Sequence, residues 1–462
     1  MGNQKWVTLV VASVATAILL LDVTIVYVAL PSIRVDLGAS FDQAQWVIDA
    51  YTVLMAATLL AFGSLADRMG RRKVFAGGLL LFTICSGASG LAGNAVTLDV
   101  ARAFQGIGAA AMYAASLAIL ANEFQGKERG LAFGVWGAVT GAALAVGPLV
   151  GGVVIDGLSW RWIFLVNVPI GVATVIATLL FVRESVDDRK RSLDLAGTVL
   201  FALSTFLLVL GLIRGNEEGW GSPQIVGTLA LSIVFGLAFV LVEMRSREPM
   251  LPMRFFRSPP FTGTAIVSFA QSIAIYPLLL FLAIYLQDGL GYRPTEAGLR
   301  LLPMTVMIFI VAPFAGKLTS RATIRLPLAT GLLLLAVSLM LIYGIDESDE
   351  WTRLLPGMLV GGISIGLISP SLAAAMVSVL PVEKSGLASG INNTGRQLGI
   401  AIGIAGLGAI FDHQVESGAT VLAGIAAGLN SVILVAAATA ALAAVICWPL
   451  LGGQRSSENA EI

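Results

Sequence analysis

The sequence predicts an all-α membrane protein with fourteen spans, and three observations carry that prediction. Charged residues make up 12% of the 462 positions and hydrophobic ones 57%, against about 25% charged in an ordinary soluble domain. The apolar residues gather into fourteen runs, most of them of the ~20 residues that cross a bilayer as a helix. Basic residues then cluster at alternate ends of those runs, as a fixed topology in a membrane requires. This pattern excludes a cytosolic enzyme, a nucleic-acid binder and a secreted disulfide scaffold.

Taken in order, the runs lie at about 6–30, 45–66, 74–93, 95–119, 130–155, 161–182, 194–213, 223–243, 260–286, 297–316, 325–344, 354–380, 386–411 and 420–450. Strands of a barrel would be near ten residues and alternating, which these are not. The first run is too long for a signal-peptide core and lacks a small-residue cleavage pattern, so it reads as the first span. With the N-terminus in the cytoplasm, the inner segments hold twenty bases: Lys5; Arg68, Arg71, Arg72, Lys73; Lys127, Arg129; Arg183, Arg189, Lys190, Arg191; Arg245, Arg247, Arg254, Arg257; Lys317, Arg321, Arg325; Lys384; and Arg455. The outer segments hold six, Arg34, Arg161, Arg214, Arg293, Arg300 and Arg353. Both termini are therefore expected in the cytoplasm. Arg102 and Arg396 fall inside spans. Cys85, Cys447 and the single His413 stand apart from one another, so neither a metal site nor a disulfide is expected. Twenty-two arginines against six lysines, with abundant Ala and Gly, point to a GC-rich bacterial genome.

An internal repeat organises the chain. GSLADR (63–68) and GKLTSR (316–321) share Gly, Leu and Arg at an offset of 253, and GLAFG (130–134) matches GLASG (386–390) at 256. At that second offset Gly147 meets Gly403 and Gly152 meets Gly408. Spans 1–6 thus repeat as spans 9–14 in the same orientation, which resembles the two parallel six-helix halves of the major facilitator fold. The expected division is an N-terminal six-helix bundle at 1–182, an inserted helix pair with its linkers at 183–258, a C-terminal six-helix bundle at 259–450, and a cytoplasmic tail at 451–462.

Two motifs deepen the resemblance. In GSLADRMGRRK (63–73), Gly63 and Gly70 permit a tight turn around Asp67, with Arg68, Arg71, Arg72 and Lys73 beside it. A plain basic membrane anchor accounts for part of this. An Asp between two glycines followed by three bases also resembles the signature loop of the major facilitator superfamily, which implies a conformational lock built on Asp67 and Arg71. Glu123, at the end of span 4, is a candidate partner for one of the bases. In span 5, Gly137, Gly141, Gly147, Pro148, Gly151 and Gly152 let helix backbones approach closely. GPLVGG (147–152) further resembles the antiporter signature of exporters. LDVTIVYVALPSI (21–33), SWRWIFLVNVPIG (159–171) and YLQDGLGYRPTEAGLRLLP (285–303) look like the fourteen-helix drug:proton antiporter family, and the likeness covers nearly the whole chain.

A carboxylate within a bilayer costs a few kcal/mol, so each one needs a reason. Asp22 lies about eight residues, roughly 12 Å, from the outer end of span 1. Asp49 and Arg102 lie at similar depth in spans 2 and 4. A charge-neutral structural pair is one reading. The other is proton carriage, because burial and a neighbouring Arg act in opposite directions on a carboxyl's hold on its proton. The family likeness implies the second: RAFQG (102–106) matches its span-4 motif, and with Asp22 that motif is linked there to proton coupling. Asp22 is then the carrier, Arg102 its modulator and Asp49 a second carboxylate, while Asp99 and Asp156 read as solvated caps. Down span 13, Ser389, Asn392, Asn393, Arg396 and Gln397 form a polar stripe that must face protein or water. It fits a structural network as well as a substrate contact. By family analogy spans 1, 4, 9 and 12 line the cavity, with Gln105, Met112, Tyr113, Ser116, Ser268, Gln271, Ser272 and Tyr276 as candidates. Met and Tyr side chains there suit varied apolar ligands, and packing explains them equally.

The expected function is export of amphipathic drugs or related small molecules in exchange for protons, by a monomer in a bacterial cytoplasmic membrane. A dedicated exporter of one metabolite, antibiotic or lipid is the alternative, and GPLVGG argues against a proton-coupled importer. No cofactor is expected, since no GxxxxGK[ST] phosphate loop is present and the proton gradient supplies the drive. No convergent nucleophile or metal cluster indicates an enzyme, and no pore-lining ring of charge indicates a channel.

Overall fold

The computed structural model of the chain describes residues 2–124, 126–186, 194–246, 248–318, 325–379 and 385–451. Arg189, Lys190, Arg191, Arg247, Arg321, Lys384, Arg455 and the tail beyond 451 lie outside the described residues. In lipid a backbone must satisfy its own hydrogen bonds, and the described residues form helices and no strand. They are α1 (Gly2–Leu37), α2 (Phe41–Met69), α3 (Arg71–Gly90), α4 (Ala95–Glu123), α5 (Gly126–Gly157), α6 (Trp162–Leu165), α7 (Asn167–Phe181), α8 (Leu195–Glu218), α9 (Pro223–Arg245), α10 (Pro259–Ile284), α11 (Pro294–Leu318), α12 (Arg325–Ile342), α13 (Leu355–Val379), α14 (Ser385–Ser417) and α15 (Val421–Leu450). Thirteen segments are long and apolar enough to cross a membrane, with α6 and α7 together making one of them. The 32-residue α5 is the fourteenth helix of spanning length.

Local chemistry fixes where helices begin. Ser40 accepts from the Gln43 N–H while Gln43 reaches back to the Ser40 N–H, a capping box that opens α2. Asn94 and Thr420 cap α4 and α15 by accepting the Thr97 and Ala423 N–H groups. Between α2 and α3 the chain turns on Gly70 at φ +110°, a region open to glycine and strained for other residues. After α10 the helix widens into one π-turn at Tyr285–Gly289.

The chain divides into two compact units. The first comprises Met1–Gly211, Pro223–Leu251 and Arg293–Gly298. Within it α2 and α3 both pack on α4, and α5 packs on α1. Of the inserted pair, α9 and most of α8 cluster here. Ser204 and Ser232 donate to one another's carbonyls at 2.9 and 2.8 Å, and Phe201 faces Phe239 at 5.3 Å. Trp46 of α2 meets Phe206 of α8 at 5.6 Å. The outer surface of α9 leaves Leu231, Ile233, Val234 and Leu237 exposed, as a lipid-facing helix does.

The second unit comprises Leu212–Ser222, Pro252–Tyr292 and Leu299–Ile462. Here α10 packs on α14 and α15, and α12 on α13 and α15. Val267, Leu328, Leu332, Ile368, Ala443 and Cys447 share one core cluster. Both cysteines are free and buried. Asn430 ties the loop after α12, its amide oxygen accepting from Gly344 and Ile345 and its amide nitrogen donating to the Ile345 carbonyl. In that loop Ser348 donates to Asp346 through both N–H and hydroxyl, which lowers the Asp346 carboxyl below its ordinary range.

Candidate functional site

The first unit encloses a charged centre. Asp22 on α1 and Arg102 on α4 are each 1% exposed, and Arg102 Nη1 donates to Asp22 Oδ2 at 2.5 Å. Arg102 is the bulkiest of the fully buried side chains described. Two further bonds hold it: Nε donates to the Val47 carbonyl at 2.9 Å, and Nη1 also reaches Gln105 Oε1 at 2.9 Å. The Tyr51 ring lies 4.3 Å from the guanidinium carbon and the Phe164 ring 5.5 Å. Desolvated cation–π contacts of this kind contribute about 2 kcal/mol. A buried ion pair needs such additional partners, because its mutual attraction alone does not offset the loss of water.

The other carboxylate oxygen collects two amides. Gln105 Nε2 donates to Asp22 Oδ1 at 3.2 Å, and Asn167 Nδ2 donates to the same oxygen at 3.1 Å. Asn167 is the first residue of α7, and its Nδ2 also donates to Ser86 Oγ of α3 at 3.1 Å. Ser86 in turn donates to the Phe164 carbonyl at 2.8 Å. Four helices thus meet on one carboxylate through residues 22, 86, 102, 105 and 167. The close packing behind them depends on small residues. A side chain at Gly106 would run into the Tyr51 carbonyl of α2, and one at Gly147 into Thr24 of α1.

Asp49 does not join this centre. Val47 and Tyr51 face α4, and at 100° per residue Asp49 falls on the opposite side of α2. It is fully buried, and neither of its oxygens has a hydrogen-bond partner among the described residues. Similar depth in sequence therefore did not mean proximity. Gln105, expected in a substrate cavity, is buried and bonds to both Arg102 and Asp22.

The signature loop is built as follows. Arg71 grips Asp67 with Nε at 3.1 Å and Nη2 at 2.9 Å. The Glu184 carboxylate, just beyond α7, accepts the Arg72 N–H at 3.0 Å and sits beside Arg72 Nε at 3.8 Å. The Arg71 N–H donates to the Ser185 carbonyl. Glu184 thereby caps α3, a carboxylate at a positive helix end. Arg68 is exposed, and open space surrounds Gly63. Glu123 makes no ion pair among the described residues; the carboxylate against the loop comes from Glu184.

In α5, Gly147 and Gly151 seat on Thr24 and Ile25, and Gly152 on the Pro294 carbonyl. Gly298 meets the Pro148 carbonyl. Gly141 lies outside the residues whose surroundings are described. Asp156, expected as a solvated cap, instead accepts the Thr295 N–H at 2.9 Å and lies 3.7 Å from Arg293 Nε. It caps the beginning of α11, where residues 293–298 belong to the first unit.

Of the cavity candidates, Met112 and Tyr113 are buried, with Tyr113 edge-on to Trp136 at 5.8 Å. Trp136 Nε1 donates to Thr16 at 3.1 Å. In the second unit, Ser268 donates to the Asn392 carbonyl at 3.4 Å and Ser272 to the Ser268 carbonyl at 2.7 Å. Gln271, Tyr276, Asn392 and Arg396 are partly exposed there, while Asn393 is buried. That unit also holds a cavity of about 610 Å³ lined by Asn216, Trp220, His413, Gln414 and Glu416, none of them a residue singled out for the site. Sequence reasoning missed Asn167, Ser86, Tyr51 and Glu184. Asn167 carried a readable signal, as a lone amide in an apolar helix.

A profile of the Major Facilitator Superfamily matches residues 12–404. The chain is 36% identical to Multidrug resistance protein Stp of Mycobacterium tuberculosis over 412 residues, covering 89% of this chain and 76% of that protein. It is also 36% identical to the puromycin resistance protein pur8 of Streptomyces alboniger, over 99% of this chain and 93% of the relative. Among solved structures, the human organic anion transporter MFSD10 superposes with a TM-score of 0.66 at 14% identity, covering 96% and 99% of the two chains. That likeness shows the fold.

Proposed function

The chain belongs to the major facilitator superfamily, a family of membrane transporters, and from that premise we propose that it is a proton-coupled exporter of amphipathic drugs or related small molecules. The observation that carries this reading is the sealed Asp22–Arg102 centre, a titratable group buried in the helical core of the first unit and held by Gln105 and Asn167. Intramembrane carboxylates mark functional sites, proton relays among them.

The chemistry runs through the charge balance of the centre. With Asp22 ionised, the pair is neutral as a whole and Arg102 is held against α1. A proton on Asp22 leaves the guanidinium as a net charge in the bundle, loosens the bond between α1 and α4, and biases the exchange between inward- and outward-facing states. Substrate binding shifts the same balance from the other side. Each net charge moved across the membrane adds about 2.3 kcal/mol per 100 mV. Asp49 is a second carboxylate in the same unit, and Asp67, Arg71, Arg72 and Glu184 form the lock at one end of it. Alternating access would come from the two six-helix halves moving about a midplane site, as parallel-repeat transporters do.

Export rather than import is supported by the GPLVGG helix and by relatives named for drug resistance. The protein would lie in a bacterial cytoplasmic membrane with both termini inside, given twenty bases on one side of the spans and six on the other. It would act as a monomer, since each chain holds a whole pathway. A dedicated exporter of a single compound is the second reading, supported by a relative that is named for puromycin alone.

Purified protein reconstituted with a trapped pH dye and challenged with ethidium tests the proposal. Ethidium-driven proton movement in the wild type that is lost in Asp22→Asn is the expected result. Equal movement in both would leave Asp22 as a structural residue and remove the basis of the mechanism.

A further inference from the structure

Three groups donate to Asp22: the Arg102 guanidinium to Oδ2, and the Gln105 and Asn167 amides to Oδ1. This shell suits a carboxylate, which only accepts. A protonated carboxyl must itself donate, and nothing in the shell is oriented to accept. One partner has to reverse whenever Asp22 takes a proton, and its identity follows from the other bonds each partner makes.

Arg102 carries donors alone. Gln105 uses its Oε1 to accept from Arg102 Nη1, so turning its amide would aim an NH₂ at the guanidinium. Asn167 differs. Its second neighbour is the Ser86 hydroxyl, which accepts from Nδ2 at present and is able to donate after rotation. Half a turn of the Asn167 amide brings its Oδ1 to face both Asp22 and Ser86. The Asp22 Oδ1–H then donates to that oxygen, and Ser86 turns its own proton from the Phe164 carbonyl to the same acceptor. Both groups are buried, Ser86 0% and Asn167 1% exposed.

We infer that Asn167 and Ser86 form a reversible hydrogen-bond relay that reads the protonation state of Asp22, with the proton received on Oδ1 on the side away from Arg102. Asn167 is a positioning residue, and the inference rests on Asp22 being the proton carrier. The charged and titratable groups facing the centre are Arg102 from α4 and Tyr51 from α2, with Asp99 one turn from Arg102 on α4. From α3 and α7, Ser86 and Asn167 are the groups that bond to it. The relay also links the ion pair to α3 and α7, which carry neither charge.

The test is infrared pH titration of the purified full-length protein, following the carbonyl stretch of a protonated carboxyl. Asp22→Asn identifies the Asp22 band by removing it. In Asn167→Ala that band is expected at higher frequency, because the acid has lost its acceptor. Its midpoint is expected to rise by less than about one pH unit, because the variant loses an amide bond in both protonation states and the bond to the charged form is the stronger. Ser86→Ala is expected to move band and midpoint in the same direction by less, and Asn167→Thr, which both donates and accepts, to restore much of the wild-type behaviour. Thermal unfolding confirms that each variant is folded. An Asp22 band unmoved in both Asn167→Ala and Ser86→Ala overturns the relay while leaving Asp22 as carrier. If Asp22→Asn removes no titrating band, the carrier reading falls and the relay with it.

Discussion

The two units repeat one packing scheme and differ in what it encloses. In the first, Gly147 of α5 seats on Thr24 of α1; in the second, Gly403 of α14 seats on Ile273 and Pro277 of α10. At the repeat offset of 253 residues, Thr24 corresponds to Pro277, so the contact itself is duplicated. At the same offset Asp22 corresponds to Ile275, and Arg102 falls within 355–358, Leu-Pro-Gly-Met. Ile275 is 4% exposed and Met358 0%. Where the first unit encloses an ion pair, the second encloses aliphatic side chains. Duplication preserved the close approach of helices, which backbone geometry enforces. The Asp22–Arg102 pair has no charged counterpart at the matching positions, where Ile275 and Met358 stand.

The largest effect expected on breaking this comparison is at Arg102. Arg102→Ala leaves a buried carboxylate without its cation, which costs about 3–5 kcal/mol, and it should abolish proton coupling. Met358→Ala should cost about 2–5 kcal/mol as a core truncation, yet leave the ratio of protons to substrate unchanged in the protein that folds. Thermal unfolding together with proton-flux measurement separates the two. Asp22→Leu combined with Arg102→Met should recover most of the stability lost in Arg102→Ala without recovering coupling, since apolar residues replace buried ion pairs at little cost.

Next in size, Gly147→Val and Gly403→Val should each force an α1–α5 or α10–α14 contact apart and destabilise by about 1–3 kcal/mol. Similar losses of melting temperature would sharpen the claim of a duplicated contact, and a large loss in one alone would break it. The smallest effect belongs to the loop. Glu184→Ala removes the carboxylate at the start of α3 and should cost about 1 kcal/mol, while Glu184→Gln retains a hydrogen-bond acceptor and should cost less. Protease accessibility of the 66–73 turn is the readout, and equal behaviour of the two variants would remove Glu184 from the lock.

Much of the fold was legible because lipid leaves a chain few options. Apolar runs of spanning length become helices, and α1, α2 and α4 simply extend a few residues beyond the runs that mark them. The break that separates α6 from α7 was not legible in the apolar run at 161–182. Asp22 and Arg102 could be paired from depth alone, since both lie a similar distance from the same ends of their spans. Depth gave no angle, however, and Asp49 at the same level turned out to face away from α4. Asn167 and Ser86 enter the centre through tertiary approaches of 145 and 81 residues along the chain, which no local pattern encodes. Glu123 and Glu184 illustrate the same limit. Glu123 ends α4 and Glu184 lies just beyond α7, and only packing sets the second against the loop.

The most direct test of the central account compares two transport modes in vesicles containing Asp22→Asn. Exchange of labelled for unlabelled ethidium without a pH gradient requires binding and alternating access; accumulation driven by a pH gradient also requires coupling. Exchange is expected to persist while gradient-driven accumulation is lost. Retention of both would contradict a coupling role for Asp22, and with it the assignment of proton chemistry to the first unit.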